Sequence, residues 1–271
     1  MPEKPLKFGF HNFLNAQPIL VPLCRLAREA GLDMVFDVPA VLAEKLAAGE
    51  LDLAMIPTIE YLRRAQEYLL LPGLSIASRG RVDTVLLVSR KPFGEAANVA
   101  VDERSRTSVA LLEILFGETF PATVRFSPLP PDPEKMLAGH DAALIIGDQA
   151  FRVPRDEPGL NVVDLSEEWF RRTGKTFVHA VVAARPGVKP TRQMLAALAE
   201  AKAHRKDGVE EIASLRAEQT GVDAGTILDY LENRIIYDLG EEEQAGLRHF
   251  QQLAHQRGLI DTLAPLRFIQ A

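Results

Sequence analysis

Short apolar runs alternate with helix-period segments along the first two thirds of this chain, and that alternation restricts it to an α/β fold. The spacing predicts strands at 6–10, 34–38 and 51–56, with helices over 16–30, 39–48 and 58–66 following them in turn. Pro18 opens the first helix, and Gly49 supplies the C-cap of the second. Strand–helix–strand order of this kind implies a parallel sheet with right-handed crossovers. A second α/β set follows, with strands at 99–101, 123–126 and 142–146 and a helix after Ser108. The runs 85–89 and 177–184 read as long strands that cross between the two sets. Two crossing strands around an inserted set predict a bilobal fold joined by a double hinge. The first lobe would be 1–86 plus 181–271, and the second 87–180. The proline-rich stretch from Pro128 to Pro133 reads as an extended connector, and the pattern after Pro190 is helical only.

With 271 residues, 47% of them apolar, the chain holds ample core material for one large or two medium domains. No disulfide or metal staple is needed. The single Cys24 cannot form an internal bridge, which suits a reducing compartment, and its apolar neighbourhood (19–30) predicts a buried thiol. No signal-peptide core precedes Phe8, and no apolar run reaches the length of a membrane span. The expected location is therefore the cytoplasm, without membrane attachment. A net charge of −6 with no basic face disfavours a nucleic-acid partner. An anionic small molecule would have to be held by local donors against a mildly repulsive field. The sequence specifies no oligomeric state.

One segment supplies such donors. A β-branched run, Val99-Ala100-Val101, stops at Asp102, and an apolar helical run begins at Val109. Between them lie Arg104, Ser105, Arg106, Thr107 and Ser108. Free backbone N–H groups at a helix start, beside hydroxyls and guanidinium groups, form a site for a carboxylate or phosphate. Ordinary N-capping would use only one of these residues. The loop Gly9-Phe10-His11-Asn12-Phe13-Leu14-Asn15-Ala16-Gln17-Pro18 closes the first strand. Its two asparagines can cap the helix or grip a hydroxyl or carboxylate, since an amide both donates and accepts. His11 titrates near neutrality in water and is a candidate base. At the end of the 142–146 strand, Gly147 allows close backbone approach and Asp148 can cap or orient a partner. Trp169 reads as packing inside the second lobe. The phosphate-loop, dinucleotide, zinc-protease and serine-elbow signatures are all missing. The histidines at 140, 179, 204, 249 and 255 have no companions at metal-ligand spacing, so neither a metal nor a cofactor is expected.

Taken in order, these motifs resemble the chorismate dehydratase family, which acts on the futalosine route to menaquinone. The resemblance is carried by Phe13-Leu14-Asn15-Ala16-Gln17-Pro18, by Gly49-Glu50-Leu51-Asp52-Leu53-Ala54, and by Ser78 through Thr84, where Thr84 replaces the family's serine. It continues through Ser105-Arg106-Thr107-Ser108, Ile146-Gly147-Asp148-Gln149-Ala150, and Trp169 with Thr173-Gly174 and Phe177-Val178, where Thr176 replaces a proline. Tyr230-Leu231 and Ile236 to Gly240 complete it. The resemblance implies a type-II periplasmic-binding-protein-like fold used by an enzyme that removes water from chorismate, giving 3-[(1-carboxyvinyl)oxy]benzoate without a cofactor. It implies that Asn15 and Thr84 act at the reacting face, and that Ser105, Arg106, Thr107 and Ser108, with Gly147 and Asp148, hold the dicarboxylate. His11, Ser78, Thr173 and Gly174 are further candidates. Two rivals share the fold: a non-catalytic carboxylate-binding protein, and the sibling 1,4-dihydroxy-6-naphthoate synthase.

Overall fold

In the computed structural model, which describes residues 5–269, the chain folds around two five-stranded sheets. It opens with β1 (Leu6–Phe10), α1 (Gln17–Leu26), β2 (Leu32–Phe36), α2 (Pro39–Ala48), β3 (Leu53–Pro57), α3 (Thr58–Arg63) and β4 (Leu69–Ser78). The second set comprises β5 (Val85–Ser89), β6 (Asn98–Asp102), α4 (Thr107–Phe116), β7 (Arg125–Leu129), α5 (Pro133–Gly139), β8 (Ala142–Ile146) and β9 (Asn161–Asp164). After α6 (Leu165–Thr173) comes β10 (Phe177–Ala184), then α7 (Arg192–Ala203), α8 (Val209–Thr220) and α9 (Ala224–Asp229). A π-helical turn (Tyr230–Arg234) and α10 (Glu241–Gln256) complete the chain's regular structure.

The strand orders are β2-β1-β3-β10-β4 and β7-β6-β8-β5-β9. Both sheets are mixed, in contrast to the parallel sheet expected. β10 runs antiparallel to β3 and β4, and β5 antiparallel to β8 and β9. The reason is topological: each of these strands enters its sheet from the other lobe and so meets its neighbours from the opposite end. β5 lies wholly in the second sheet, so the chain changes lobes between Ser78 and Val85 and returns between Thr173 and Phe177. The expected lobe limits of 86 and 180 each fall inside a strand.

Side-chain alternation divides the core. Leu87, Val99, Val101 and Leu144, on one face of the second sheet, join the hydrophobic cluster that also contains Phe8, Leu23 and Ile56 of the first lobe. Leu86, Val88, Ala100 and Ile145 point to the other face and form a separate, smaller cluster with Met136. Trp169 belongs to the shared core rather than to the second lobe alone. Its ring centroid lies 5.4 Å from Phe177 and 6.1 Å from Phe250, both first-lobe residues. Gly246 lets α10 approach β10 there, because a Cβ at 246 would sit 1.9 Å from the Thr176 carbonyl oxygen.

Cys24 is exposed, contrary to the buried thiol expected. With α1 starting at Gln17, the inward positions are Ile19, Leu20 and Leu23, which turns residue 24 toward solvent. Among the described residues no helix is long and apolar enough to cross a membrane.

Candidate functional site

A cleft between the two sheets, of about 630 Å³ including its open mouth, collects most of the residues singled out by sequence. Its lining includes His11, Asn15, Thr84, Ser105, Arg106, Thr107, Ser108 and Gly147, among apolar side chains such as Ile76, Val82 and Ile235. The size and the mix of apolar wall with few polar groups suit a small organic ligand.

One wall is the start of α4. No side chain caps this helix. Ser105, Thr107 and Ser108 are all buried, and Ser105 Oγ has no partner among the described residues. The leading N–H groups and these hydroxyls are thus left to face the cleft, the donor set a carboxylate requires. Thr107 Oγ1 is partly engaged, accepting from Ile59 N at 3.3 Å across the lobe boundary. The two arginines differ in availability. Arg104 is committed: its Nε and Nη2 grip buried Asp102 at 2.9 and 2.6 Å, and its guanidinium lies 5.2 Å from the Phe13 ring centroid. Arg106 stands at the mouth, held only by Glu44 at 3.5 Å, and is free to turn toward an anion.

The opposite wall comes from the turn after β1. His11 is buried and its Nδ1 has no protein partner. Burial lowers its pKa to about 4, so the imidazole is neutral at physiological pH and is a poor cation for a carboxylate. Asn15 lies on a short 3₁₀ turn (Leu14–Ala16), and its Oδ1 also lacks a protein partner. Thr84 stands where the chain enters β5, and its Oγ1 lies 3.0 Å from the hydroxyl of Tyr230.

The segment leading to Thr84 is held rigidly. Asp83 is the one non-glycine with positive φ (68°) among the described residues. Its carboxylate meets Arg155 at 2.7 Å and Arg234 at 3.1 Å, and Arg81 also pairs with it. Asp164 then ties the crossing segment to α6. One of its oxygens accepts from Val82 N and Asp83 N, the other from Ser166 N and Glu167 N. Burial pushes the Asp164 carboxyl above its usual range, and these N–H donors hold part of that rise back.

Of the other predicted positions, Asp148, Ser78, Thr173 and Gly174 stand outside the cleft lining. Asp148 stands behind the wall, accepting from Leu14 N at 3.4 Å and facing Arg216 at 3.8 Å, so it braces the turn that carries Asn15. Gly147 does line the cleft, with φ of 66° and its N–H donated to the Thr84 carbonyl. Ser78 is buried and hydrogen-bonds His179 Nε2 at 2.9 Å. Thr173 and Gly174 end α6: the threonine hydroxyl donates to the Trp169 carbonyl, and the glycine is the C-cap. Among the described residues no group of three or more His, Cys, Asp or Glu could hold a metal.

Two residues near the site were given no site role by the sequence reading. His179 lines the cleft from β10, with its pKa lowered to about 4 by burial. Tyr230 sits behind Thr84 on the π turn, 2% exposed and edge-on to Phe151. Burial pushes its phenol far above the usual range, and its hydrogen bond with Thr84 opposes part of that shift. A π turn at a functional site is itself a usable signal, but only in three dimensions.

A family model described as menaquinone biosynthesis matches residues 6–256. Chorismate dehydratase of Thermus thermophilus is 32% identical over 264 residues, covering 92% of this chain and 95% of that protein. Among solved structures, a protein of Archaeoglobus fulgidus superposes with a TM-score of 0.78 at 17% identity, over 96% of this chain and 100% of that one. The periplasmic aliphatic sulphonate binding protein of Escherichia coli does so with a TM-score of 0.65 at 16% identity, over 99% and 94% of the two chains. The likeness to these structures is one of fold, the bilobal periplasmic-binding-protein architecture.

Proposed function

The chain belongs to the menaquinone-biosynthesis family, and from that premise we propose that it is a chorismate dehydratase, a hydro-lyase acting in the cytoplasm without a cofactor. The observation that carries this reading is the convergence, in one cleft, of an uncapped helix start rich in hydroxyls with Asn15 and Thr84. Chorismate presents two carboxylates and a secondary hydroxyl, which are the groups these donors suit.

The reaction breaks the C3–H and C4–O bonds of the cyclohexadiene ring. The C3 proton is acidified through the conjugated ring carboxylate, and aromatisation drives the loss of hydroxide. Positioning and charge stabilisation are then the main demands on the protein. The N–H groups and hydroxyls of Ser105, Thr107 and Ser108 hold one carboxylate, and Arg106 closes on the anion from the mouth. Asn15 and Thr84 orient the C4 hydroxyl, with Thr84 donating to the oxygen as it departs. No carboxylate or lysine stands in the lining, and burial lowers the pKa of both lining imidazoles, His11 and His179, to about 4, which makes each a weak base. The substrate's own enolpyruvyl carboxylate takes the C3 proton and returns it to the leaving hydroxide, so one water is formed and charge balances.

Incubation of the purified protein with chorismate, following loss of the diene absorbance and appearance of the substituted benzoate, tests the reading. Stoichiometric conversion is expected. Unchanged chorismate together with tight binding of another carboxylic acid would replace it with the non-catalytic reading.

A further inference from the structure

Of the two side chains assigned to the reacting face, Asn15 and Thr84, the second meets a buried group that stands outside the cleft lining. Tyr230 does not line the cleft, and its hydroxyl lies 3.0 Å from Thr84 Oγ1. Resting on the dehydratase reading above, we propose that Tyr230 is the positioning residue that sets the direction of hydrogen bonding at the reacting face.

The direction follows from the inventory of donors and acceptors. Asn15 Oδ1 has no hydrogen-bond partner among the described residues. The Tyr230 phenol is buried outside the cleft lining and Thr84 Oγ1 is its one hydrogen-bond partner among the described residues, so its O–H is donated there, whereas the Thr84 hydroxyl has the cleft as an alternative. Thr84 Oγ1, having received a hydrogen, directs its remaining O–H away from Tyr230 and into the cleft. Asn15 Oδ1 is left as the acceptor for a ligand hydroxyl. Donation from the Tyr230 O–H polarises the Thr84 hydroxyl and strengthens it as a donor. A substrate C4 hydroxyl therefore meets one acceptor and one donor, and the donor faces the oxygen on which negative charge develops as the C–O bond breaks.

The placement of Tyr230 supports this role. The π turn that carries it ends at Arg234, which pairs with Asp83, the residue before Thr84. Phenol and threonine are thus locked together through the backbone as well as through their hydroxyls. The phenol is held fixed by Phe151 at a centroid separation of 5.3 Å.

Tyr230→Phe removes one oxygen and keeps the ring packing. For the wild type, Y230F, T84V and the double variant, kcat and KM for chorismate are measured together with the thermal midpoint. The expected result is a 10- to 100-fold loss of kcat in Y230F, with KM within about threefold and the midpoint little changed, the range that follows from losing one hydrogen bond to a developing charge. Y230F should cost nothing further in the T84V background. A kcat within twofold of wild type overturns the proposal, as does an equal loss in both backgrounds, which would place the effect outside Thr84. If Y230F does not fold, 3-fluorotyrosine at all four tyrosines keeps ring and hydroxyl while altering phenol acidity. A kcat shift of at least twofold then supports the relay, and an unchanged kcat overturns it. A wild type that leaves chorismate intact refutes the dehydratase reading itself, an outcome separate from any result on the variants.

Discussion

Asp164 clasps the crossing segment and the start of α6 at once, and Asp164→Asn measures how much that clasp contributes. One carboxylate oxygen holds the crossing segment through Val82 N at 3.0 Å and Asp83 N at 2.7 Å. The other caps α6 through Ser166 N at 3.0 Å and Glu167 N at 3.1 Å. Asparagine has one acceptor oxygen, so its NH₂ must face one of these pairs and leave two buried N–H groups unmet. A hydrogen bond to a charged acceptor contributes about 1.5–3 kcal/mol, which puts the gross loss at about 3–6 kcal/mol. Part is recovered, because the neutral amide escapes the desolvation that raises the carboxyl pKa, leaving about 2–4 kcal/mol. In a chain of this size that is a fall in melting temperature of roughly 5–15 °C. Scanning calorimetry reads the midpoint, and chorismate turnover well below it reads the site. If the amide strands the Val82–Asp83 pair, kcat falls as well, since Thr84 follows directly. A melting temperature within 2 °C of wild type would refute the account of Asp164 as a double clasp.

Three further outcomes follow from the geometry. Gly246→Ala drives a Cβ against the Thr176 carbonyl oxygen and should cost about 1–3 kcal/mol, read as a lower urea midpoint; an unchanged midpoint would mean that α10 shifts freely. Arg106→Ala should raise KM for chorismate about tenfold with kcat within threefold, and should weaken the dependence of KM on salt; a loss confined to kcat would refute its role as a mouth residue. Acidification from pH 6.5 toward pH 4 should destabilise the fold, because His11, with its pKa lowered to about 4, stays neutral while the unfolded chain binds the proton. The slope is at most about 1.4 kcal/mol per pH unit for each such histidine. His11→Asn should flatten the urea-midpoint profile over that range, and parallel profiles would refute the assignment.

Much of the site was legible because its chemistry is local. The α4 start announces itself in Ser105 to Ser108, and α2 with its Gly49 C-cap falls where the spacing puts it. β4 escaped because Pro72-Gly73 reads as a turn. The structure places that strand at the edge of its sheet, where a missing N–H is tolerated. Helix α6 escaped because its apolar positions are few and its capping residue, Asp164, ends a strand. Tyr230 could not be linked to Thr84 from spacing, since the two are 146 residues apart. Asp148 looked like a ligand residue because it follows Gly147, yet it serves the Asn15 turn from behind.

The shared hydrophobic cluster has a consequence for how the cleft selects its occupant. Leu87, Val99 and Leu144 of the second sheet are packed into the same core as Phe8 and Ile56 of the first, and Trp169 joins them to Phe250. Two walls that grow from one core cannot swing apart without exposing it to water. Widening the gap would therefore cost the burial of these side chains, which favours one width. A binding protein of this architecture built on two independent cores can trade affinity for motion and admit guests of several sizes. Here the shared core favours a single width of the gap between the α4 start and Thr84.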